Sequence, residues 1–479
     1  MTDTSASMDG LRKDLAKLVR QLLDERPERR RERPVNPLVR AHLGLGDGGP
    51  TLPVLSDRFP YYDLPNLHLA LERLRTREGW SADILGVAHE EGMWPQPTMG
   101  SLLSHDRWEA GPEQFATAST GPSETMACRT SSLFLLHSPE GPLALLLMLS
   151  DGHGGPPDLI LTVASPVDGA CERLLAWIRE TIAEVDVFRG KVITVEANPM
   201  TDSSRVAFVE RPRIAPQELV LPDGVLERIE RHVIGASRHR EALLASGRHL
   251  GRGLLLWGPP GTGKTLTLRY LTGRLDGTTV IILSGSALGM AASFGALARR
   301  LQPAVVILED VDLVAQEREH WGSGPILFEL MNEMSGQGGD ADVAFVLTTN
   351  RPDVLEPALA ARPGRVDLAV EIPLPDAAAR ARLIELYGRG MDLRLDDPGR
   401  VVERTEGVTA SFIQELLRKA RLWAAEDGRV TVTQADVDGA LDELLHETSA
   451  LTRVMLGVGA QDVMRRASRA WLEEFPDEE

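Results

Sequence analysis

The stretch Gly258-Pro259-Pro260-Gly261-Thr262-Gly263-Lys264-Thr265 decides how this chain is read. It fits G-x-x-x-x-G-K-[ST], a pattern in which glycines let the backbone curl until its N–H groups point at phosphate oxygens. Lys264 supplies a point charge to the outer phosphates, and the Thr265 hydroxyl is a ligand for Mg²⁺. Before the loop, Leu254-Leu255-Leu256-Trp257 reads as a buried strand. After it, Leu266 to Leu275 reads as a helix whose positive dipole end faces the same anion. A chance Gly-rich turn would lack both neighbours. Gly258, Pro259, Pro260, Gly261, Thr262, Gly263, Lys264, Thr265 and Leu266 are therefore the expected nucleotide-binding residues.

Further along, Val305-Val306-Ile307-Leu308 is a strand-like run that ends in Glu309-Asp310-Val311-Asp312. A carboxylate at a strand tip beside a phosphate loop is what Mg²⁺–nucleotide chemistry needs. One acid organises the metal through its waters, and its neighbour accepts a proton from the attacking water. Alone, the run would be a strand end with solvated acids. A third run, Ala344-Phe345-Val346-Leu347-Thr348-Thr349, ends at Asn350, whose amide suits the orienting of that water. Arg362-Pro363-Gly364-Arg365 would by itself read as surface charge. In this company, the two arginines suit a γ-phosphate reached in trans.

The chain has 479 residues, which predicts two or three domains, and 43% of them are hydrophobic, enough for packed cores. Its net charge of −18 argues against a protein whose main task is gripping nucleic acid, and 5% aromatics leave few stacking platforms for single strands. Cys128 and Cys171 are the only cysteines, which fits a reducing compartment and excludes a CxxC metal site. No apolar run reaches transmembrane length and no signal-peptide pattern opens the chain, so a cytoplasmic protein is expected.

Residues 1–34 read as an amphipathic helix, with Leu11, Leu15, Leu18, Val19, Leu22 and Leu23 on one face, followed by a charged linker. Residues 35–200 read as an α+β domain. Its helices are expected at Leu64 to Arg77 and Gly169 to Val185, and its strands at 133–136, 143–149, 159–164 and 192–196. His137, His153, Ser131, Ser132 and Asp151 form no catalytic spacing there. Asn198 to Ser204 reads as a linker. Residues 215–375 alternate strands and helices as a parallel sheet requires, 376–446 turn helical, and 447–479 read as a helix with an acidic tail.

These elements together resemble the AAA family of ring ATPases, within the AAA+ superfamily, over roughly residues 215–446. The run Leu355-Glu356-Pro357-Ala358-Leu359-Ala360-Ala361-Arg362-Pro363-Gly364-Arg365-Val366-Asp367 resembles the family's second region of homology. Arg252-Gly253-Leu254-Leu255-Leu256-Trp257-Gly258 is similar to the approach to its phosphate loop. Thr405-Glu406-Gly407-Val408-Thr409-Ala410-Ser411 resembles the start of its lid helix. The resemblance implies an α/β fold: a P-loop parallel sheet with helices on both faces and a small helical lid, here preceded by the α+β N-terminal domain.

The resemblance also implies ATP and Mg²⁺ as cofactors, with Thr265 and Glu309 on the metal side. Asp310 would be the water-activating acid, Asn350 the sensor, and Arg362 and Arg365 the fingers that reach a neighbour's ATP. Partners would be further copies of the chain in a homo-hexameric ring and a protein client bound through the N-terminal domain. Three departures stand out. The acid pair is Glu-Asp rather than Asp-Glu, an order that also occurs in the mitochondrial AAA translocase of the Rieske iron–sulfur protein. The segment after Ser284-Gly285-Ser286 is short and lacks the aromatic pore loop, with Leu288-Gly289-Met290 the nearest substitute and Phe294 the only aromatic. One extra alanine precedes Arg362. The expected function is ATP hydrolysis coupled to remodelling of a protein partner. A nucleotide-gated scaffold with slow hydrolysis is the alternative, and a nucleic-acid-remodelling ATPase a more distant one.

Overall fold

A computed structural model describes residues 34–46, 52–88, 96–105, 107–150, 157–198, 203–313, 341–352 and 366–446. The expected helix at 8–25, most of the charged run after it, His153, Asp151, Arg362, Arg365 and the expected C-terminal helix and tail lie outside the described residues. The rest forms two compact units. One comprises residues up to 117, 127–150 and 157–182, and the other 118–126 and the chain from 183 onward.

The first unit is built on an antiparallel sheet in the order β1-β7-β6-β5-β2-β3, with β4 paired to β5. Its strands are β1 (Val54–Pro60), β2 (Ser81–Ala88), β3 (Glu109–Gly111), β4 (Gln114–Ser119), β5 (Thr125–Ser138), β6 (Gly141–Leu149) and β7 (Asp158–Ala164). Leu133 to Leu136 and Leu143 to Met148 are buried without alternation, which marks strands covered on both faces. Helices α1 (Val35–His42) and α3 (Met99–Ser104) close one core, where Val39, Met99 and Leu102 meet Leu133, Leu135 and Leu146. Helices α2 (Leu64–Arg75) and α4 (Ala170–Glu184) bury the stripes Leu67, Leu71, Leu74 and Leu174, Ile178. His137 stands edge-on to His42, with ring centroids 4.6 Å apart, and belongs to no catalytic group.

The second unit holds a seven-stranded sheet in the order β14-β10-β13-β12-β11-β8-β9. Its strands are β8 (Val192–Asn198), β9 (Ser203–Val209), β10 (Arg252–Trp257), β11 (Thr279–Ser284), β12 (Ala304–Glu309), β13 (Val343–Thr349) and β14 (Leu368–Glu371). The phosphate-loop helix α5 (Lys264–Arg274) packs Leu268 and Leu271 on the sheet face formed by Leu254, Leu256, Val305, Ile307 and Val346. Helix α6 (Ala291–Arg300) packs against β11 and β12 and takes no part in that cluster. Arg252, buried at the start of β10, ties it to β13 through Asp342 at 2.9 Å and to Ser237 at 2.8 Å.

Two expectations are corrected here. By sequence, the run at 192–196 belongs to an N-terminal domain ending at residue 200, and Asn198 to Ser204 reads as a linker. Instead β8 pairs in parallel with β11, Val280 opposite Val192 and Leu283 opposite Val195, and β9 from Ser203 closes the edge. The nucleotide-binding sheet therefore recruits strands well before residue 215. Alternation along a strand specifies which face is buried but carries nothing about which neighbour supplies the hydrogen bonds.

From Asp376 the chain forms four helices: α7 (Ala377–Tyr387), α8 (Pro398–Arg404), α9 (Ala410–Glu426) and α10 (Gln434–His446). A short parallel pair, β15 (Asp392–Arg394) and β16 (Thr431–Thr433), accompanies them. Phe412, Ile413, Leu416, Leu417 and Ala420 recur at helical spacing and meet Leu383, Val401 and Leu441 in a core of their own. Asp376 and Thr409 cap α7 and α9, accepting from Ala379 N–H at 2.7 Å and Phe412 N–H at 3.3 Å. No helix of the described residues is long and apolar enough to cross a membrane.

Candidate functional site

Ligands of open parallel sheets gather at the carboxyl ends of the strands. Here β10, β12 and β13 lie side by side and end at Trp257, Glu309 and Thr349. The loop after β10 needs glycine at Gly258, where φ is 148° and a Cβ would stand 2.2 Å from the Ile372 carbonyl oxygen. Gly261 has φ of 76°, and its carbonyl accepts from Ser411 N–H at 3.1 Å at the first turn of α9. The lid thus rests directly on the phosphate loop. Thr262 Oγ1 braces the loop from within, donating to the Pro259 carbonyl at 2.9 Å.

Lys264 is 6% exposed, and its Nζ donates to the carbonyls of Gly258 at 2.8 Å and Pro259 at 2.9 Å. Burial pulls its pKa down to about 8 against the opposing pull of Asp310 and Asp312. Lys264, Thr265, Asp310 and Asn350 line one cavity of about 610 Å³, which also takes in Pro260, Gly261, Gly263 and Leu266. Asn350 Nδ2 donates to Asp310 Oδ1 at 3.3 Å. From the lid, Tyr387, Ser411 and Gln414 reach the same space. Burial raises the Tyr387 phenol above its ordinary range. A cavity of about 260 Å³, lined by Leu221, Thr262, Leu383 and Ala410 together with the charged Asp223, Asp376 and Arg382, shares Ala410 with the first.

Glu309 does not face that cavity. It lines an adjoining groove with Thr265 and Ser284, and Thr265 and Arg269 border both spaces. Burial, and then the neighbouring Asp310, push its carboxyl above the usual range. A hydroxyl and a carboxylate converging at a phosphate loop are hard oxygen donors of the kind Mg²⁺ accepts beside phosphate and water oxygens. The chain thus places eight of the sequence-read residues around one cavity: Pro260, Gly261, Gly263, Lys264, Thr265, Leu266, Asp310 and Asn350. The lid residues Tyr387 and Gln414 carried no motif and are found only through the fold.

The sheet order, the loop after β10, the acidic tip on β12, the amide tip on β13 and the lid define a P-loop nucleotide-binding ATPase. The family model of the ATPase family associated with various cellular activities (AAA) matches residues 254–374. The chain is similar to the proteasome-activating nucleotidase of Thermococcus onnurineus, 28% identical over 302 residues, covering 59% of this chain and 76% of that protein. It is 35% identical over 242 residues to the ATP-dependent zinc metalloprotease FtsH 2 of Symbiobacterium thermophilum, covering 46% of this chain and 40% of that one. It is 31% identical over 228 residues to 26S proteasome regulatory subunit 8 of Caenorhabditis elegans, covering 44% and 54%. Residues 254–374 are an AAA ATPase domain.

Proposed function

We propose that this ATPase hydrolyses ATP to ADP and phosphate with Mg²⁺ at the junctions of a homo-hexameric ring, and couples the reaction to remodelling a protein partner held by its N-terminal unit. The observation that carries the reading is the single cavity shared by Lys264, Thr265, Asp310 and Asn350 under the lid. Lys264 exchanges its two backbone carbonyls for phosphate oxygens. Thr265 and Glu309 would hold Mg²⁺, which would neutralise charge on the phosphates. Asp310 takes the proton of the attacking water, and Asn350 orients that water toward the γ-phosphate. Arg362 and Arg365 come from the neighbouring copy and stabilise the transferring phosphoryl group. The cavity beside Thr262 and Leu383, with both apolar and polar groups on its wall, suits a base.

A protein partner is supported by the relatives named for activating or regulating the proteasome. Gripping by an exposed aromatic loop is not part of the proposal. The segment after β11 is a 3₁₀ turn, Gly285–Met290, with Ala287 and Leu288 buried, and Phe294 is 0% exposed in the core. One observation favours a second reading, a nucleotide-gated scaffold with slow hydrolysis: the Asn350 amide already engages the Asp310 carboxylate.

Steady-state ATP turnover of the wild type against Asp310→Asn separates the two. A loss of about a hundredfold or more supports the enzyme reading, and equal, near-zero rates sink it. Shared sites are tested by mixing. Arg365→Ala and Lys264→Ala chains are each inactive alone, and together they regain part of the turnover. No rescue at any ratio counts against the ring.

A further inference from the structure

Asp310 is the one described residue other than glycine whose backbone is left-handed, with φ of 51°. That conformation is strained for most side chains and tolerated best by Asn and Asp. The turn is held by β13. The Asp310 N–H donates to Thr348 Oγ1 at 3.0 Å, and the Val311 N–H donates to the Thr348 carbonyl at 3.0 Å. The tip of β13 is held in return by Asp312, which is 5% exposed. Its Oδ1 accepts from Thr349 Oγ1 at 2.8 Å and from the Asn350 N–H at 3.2 Å. The acidic turn and the amide tip therefore clasp each other. Thr348 fixes the backbone of Asp310, Asp312 fixes the backbone of Asn350, and Asn350 reaches back to the Asp310 carboxylate.

We propose that Asp312 is a positioning residue for ATP hydrolysis, setting Asn350 and through it the Asp310 carboxylate without touching nucleotide. It is absent from the lining of the cavity that Asp310 and Asn350 share. Among the described residues its hydrogen bonds run to Thr349 and Asn350 alone, the two residues that end the sensor strand. Both donors meet the same oxygen. An amide offers that oxygen equally well, so Asn should substitute for Asp312, whereas Ala would leave a buried hydroxyl and a buried N–H without their acceptor. The proposal rests on the reading of Asp310 as the water-activating acid.

The test uses the full chain with Asp312→Ala, Asp312→Asn, Thr349→Val and, in parallel, Asp310→Asn. kcat and KM for ATP, the affinity for a fluorescent ATP analogue and the melting temperature are measured for each. The expected result for Asp312→Ala is a kcat about tenfold to a hundredfold lower with nucleotide affinity nearly unchanged, as for a misplaced reacting group. Asp312→Asn should keep most of the wild-type kcat. Wild-type kcat in Asp312→Ala overturns the proposal, as does a loss of nucleotide affinity in step with kcat, or an Asn variant as slow as the Ala one. If Asp312→Ala does not fold, Thr349→Val carries the test, with a lowered kcat at unchanged affinity expected and an unchanged kcat refuting it. If Asp310→Asn turns over like the wild type, the assignment of Asp310 itself fails, whatever the Asp312 variants do.

Discussion

In the proposed assignment Asp310 stands where the AAA family usually carries glutamate, and its own backbone supplies a reason for the shorter acid. With φ at 51°, the residue sits where Asp is tolerated better than a longer side chain, and Thr348 and Asn350 are already placed around it. Asp310→Glu, which restores the family's usual residue, should therefore not raise kcat. It adds strain of about 1 kcal/mol, and an increased turnover in steady-state assays would show that reach, not backbone fit, limits the site. Lys264→Ala should abolish tight nucleotide binding, read as loss of fluorescent-analogue affinity. Lys264 is poised for this role because it is buried and, among the described residues, donates to two carbonyl oxygens that phosphate can replace. Both residues were legible in the sequence because their chemistry is tied to a fixed spacing. Asp312 was visible as a letter in the acidic run, but its side-chain direction depends on a turn that spacing does not encode.

At the scale of elements, the phosphate loop and the lid are the places where local sequence and tertiary contact meet. Gly258→Ala should destabilise the protein by about 3 kcal/mol, combining an unfavourable φ with a Cβ forced onto the Ile372 carbonyl, and thermal or urea unfolding would show it. In the lid, the Asp436 carboxylate accepts from the guanidinium of Arg429 and from the Thr433 N–H and Oγ1 at 2.8 Å. The Arg429 hydrogen bonds, with those of Thr433, hold its carboxyl well below the usual range. Its pKa is lowered on folding, so its contribution is present above the unfolded value near pH 4 and is lost as pH falls toward the folded value. Asp436→Ala should therefore lower the melting temperature at pH 7 and flatten its decline on acidification below about pH 4. Helices such as α9 were readable because Phe412, Leu416 and Ala420 repeat at their own period. β1 and β2 were not: their mixed polar runs among Pro and Gly resemble loops until neighbouring strands pair with them.

At the scale of the whole molecule, the extension of the nucleotide-binding sheet by β8 and β9 has a practical consequence. A chain begun at Ala215 lacks Val192, Ile193 and Val195 and leaves the edge of β11 open. It should be recovered in aggregates, whereas a chain begun near residue 183 should be soluble with a cooperative transition. Gel filtration and calorimetry of the two would decide, and a soluble, cooperative shorter chain would show that β8 and β9 are dispensable. The net charge of −18 makes a related expectation about partners. ATP turnover should not rise on addition of DNA, and stimulation with a steep dependence on salt would reverse it.

The sequence by itself determined the motifs on which the proposed chemistry rests. Phosphate, metal and water each require particular atoms at particular intervals, so Lys264, Thr265, Glu309, Asp310 and Asn350 could be proposed from a line of letters. Strand and helix periods did the same for β10, β12 and β13 of the sheet and for the longer helices of the lid. Tertiary structure alone decided that β8 and β9 join the sheet of the ATPase unit, that Glu309 and Asp310 face different spaces, that Tyr387 and Gln414 reach the phosphate loop's cavity, and that Asp312 clasps the sensor tip. These depend on pairing between segments far apart in the chain and on the direction of single side chains in a turn. Hydrogen-bonding edges and backbone angles settle such matters only once the neighbours are in place.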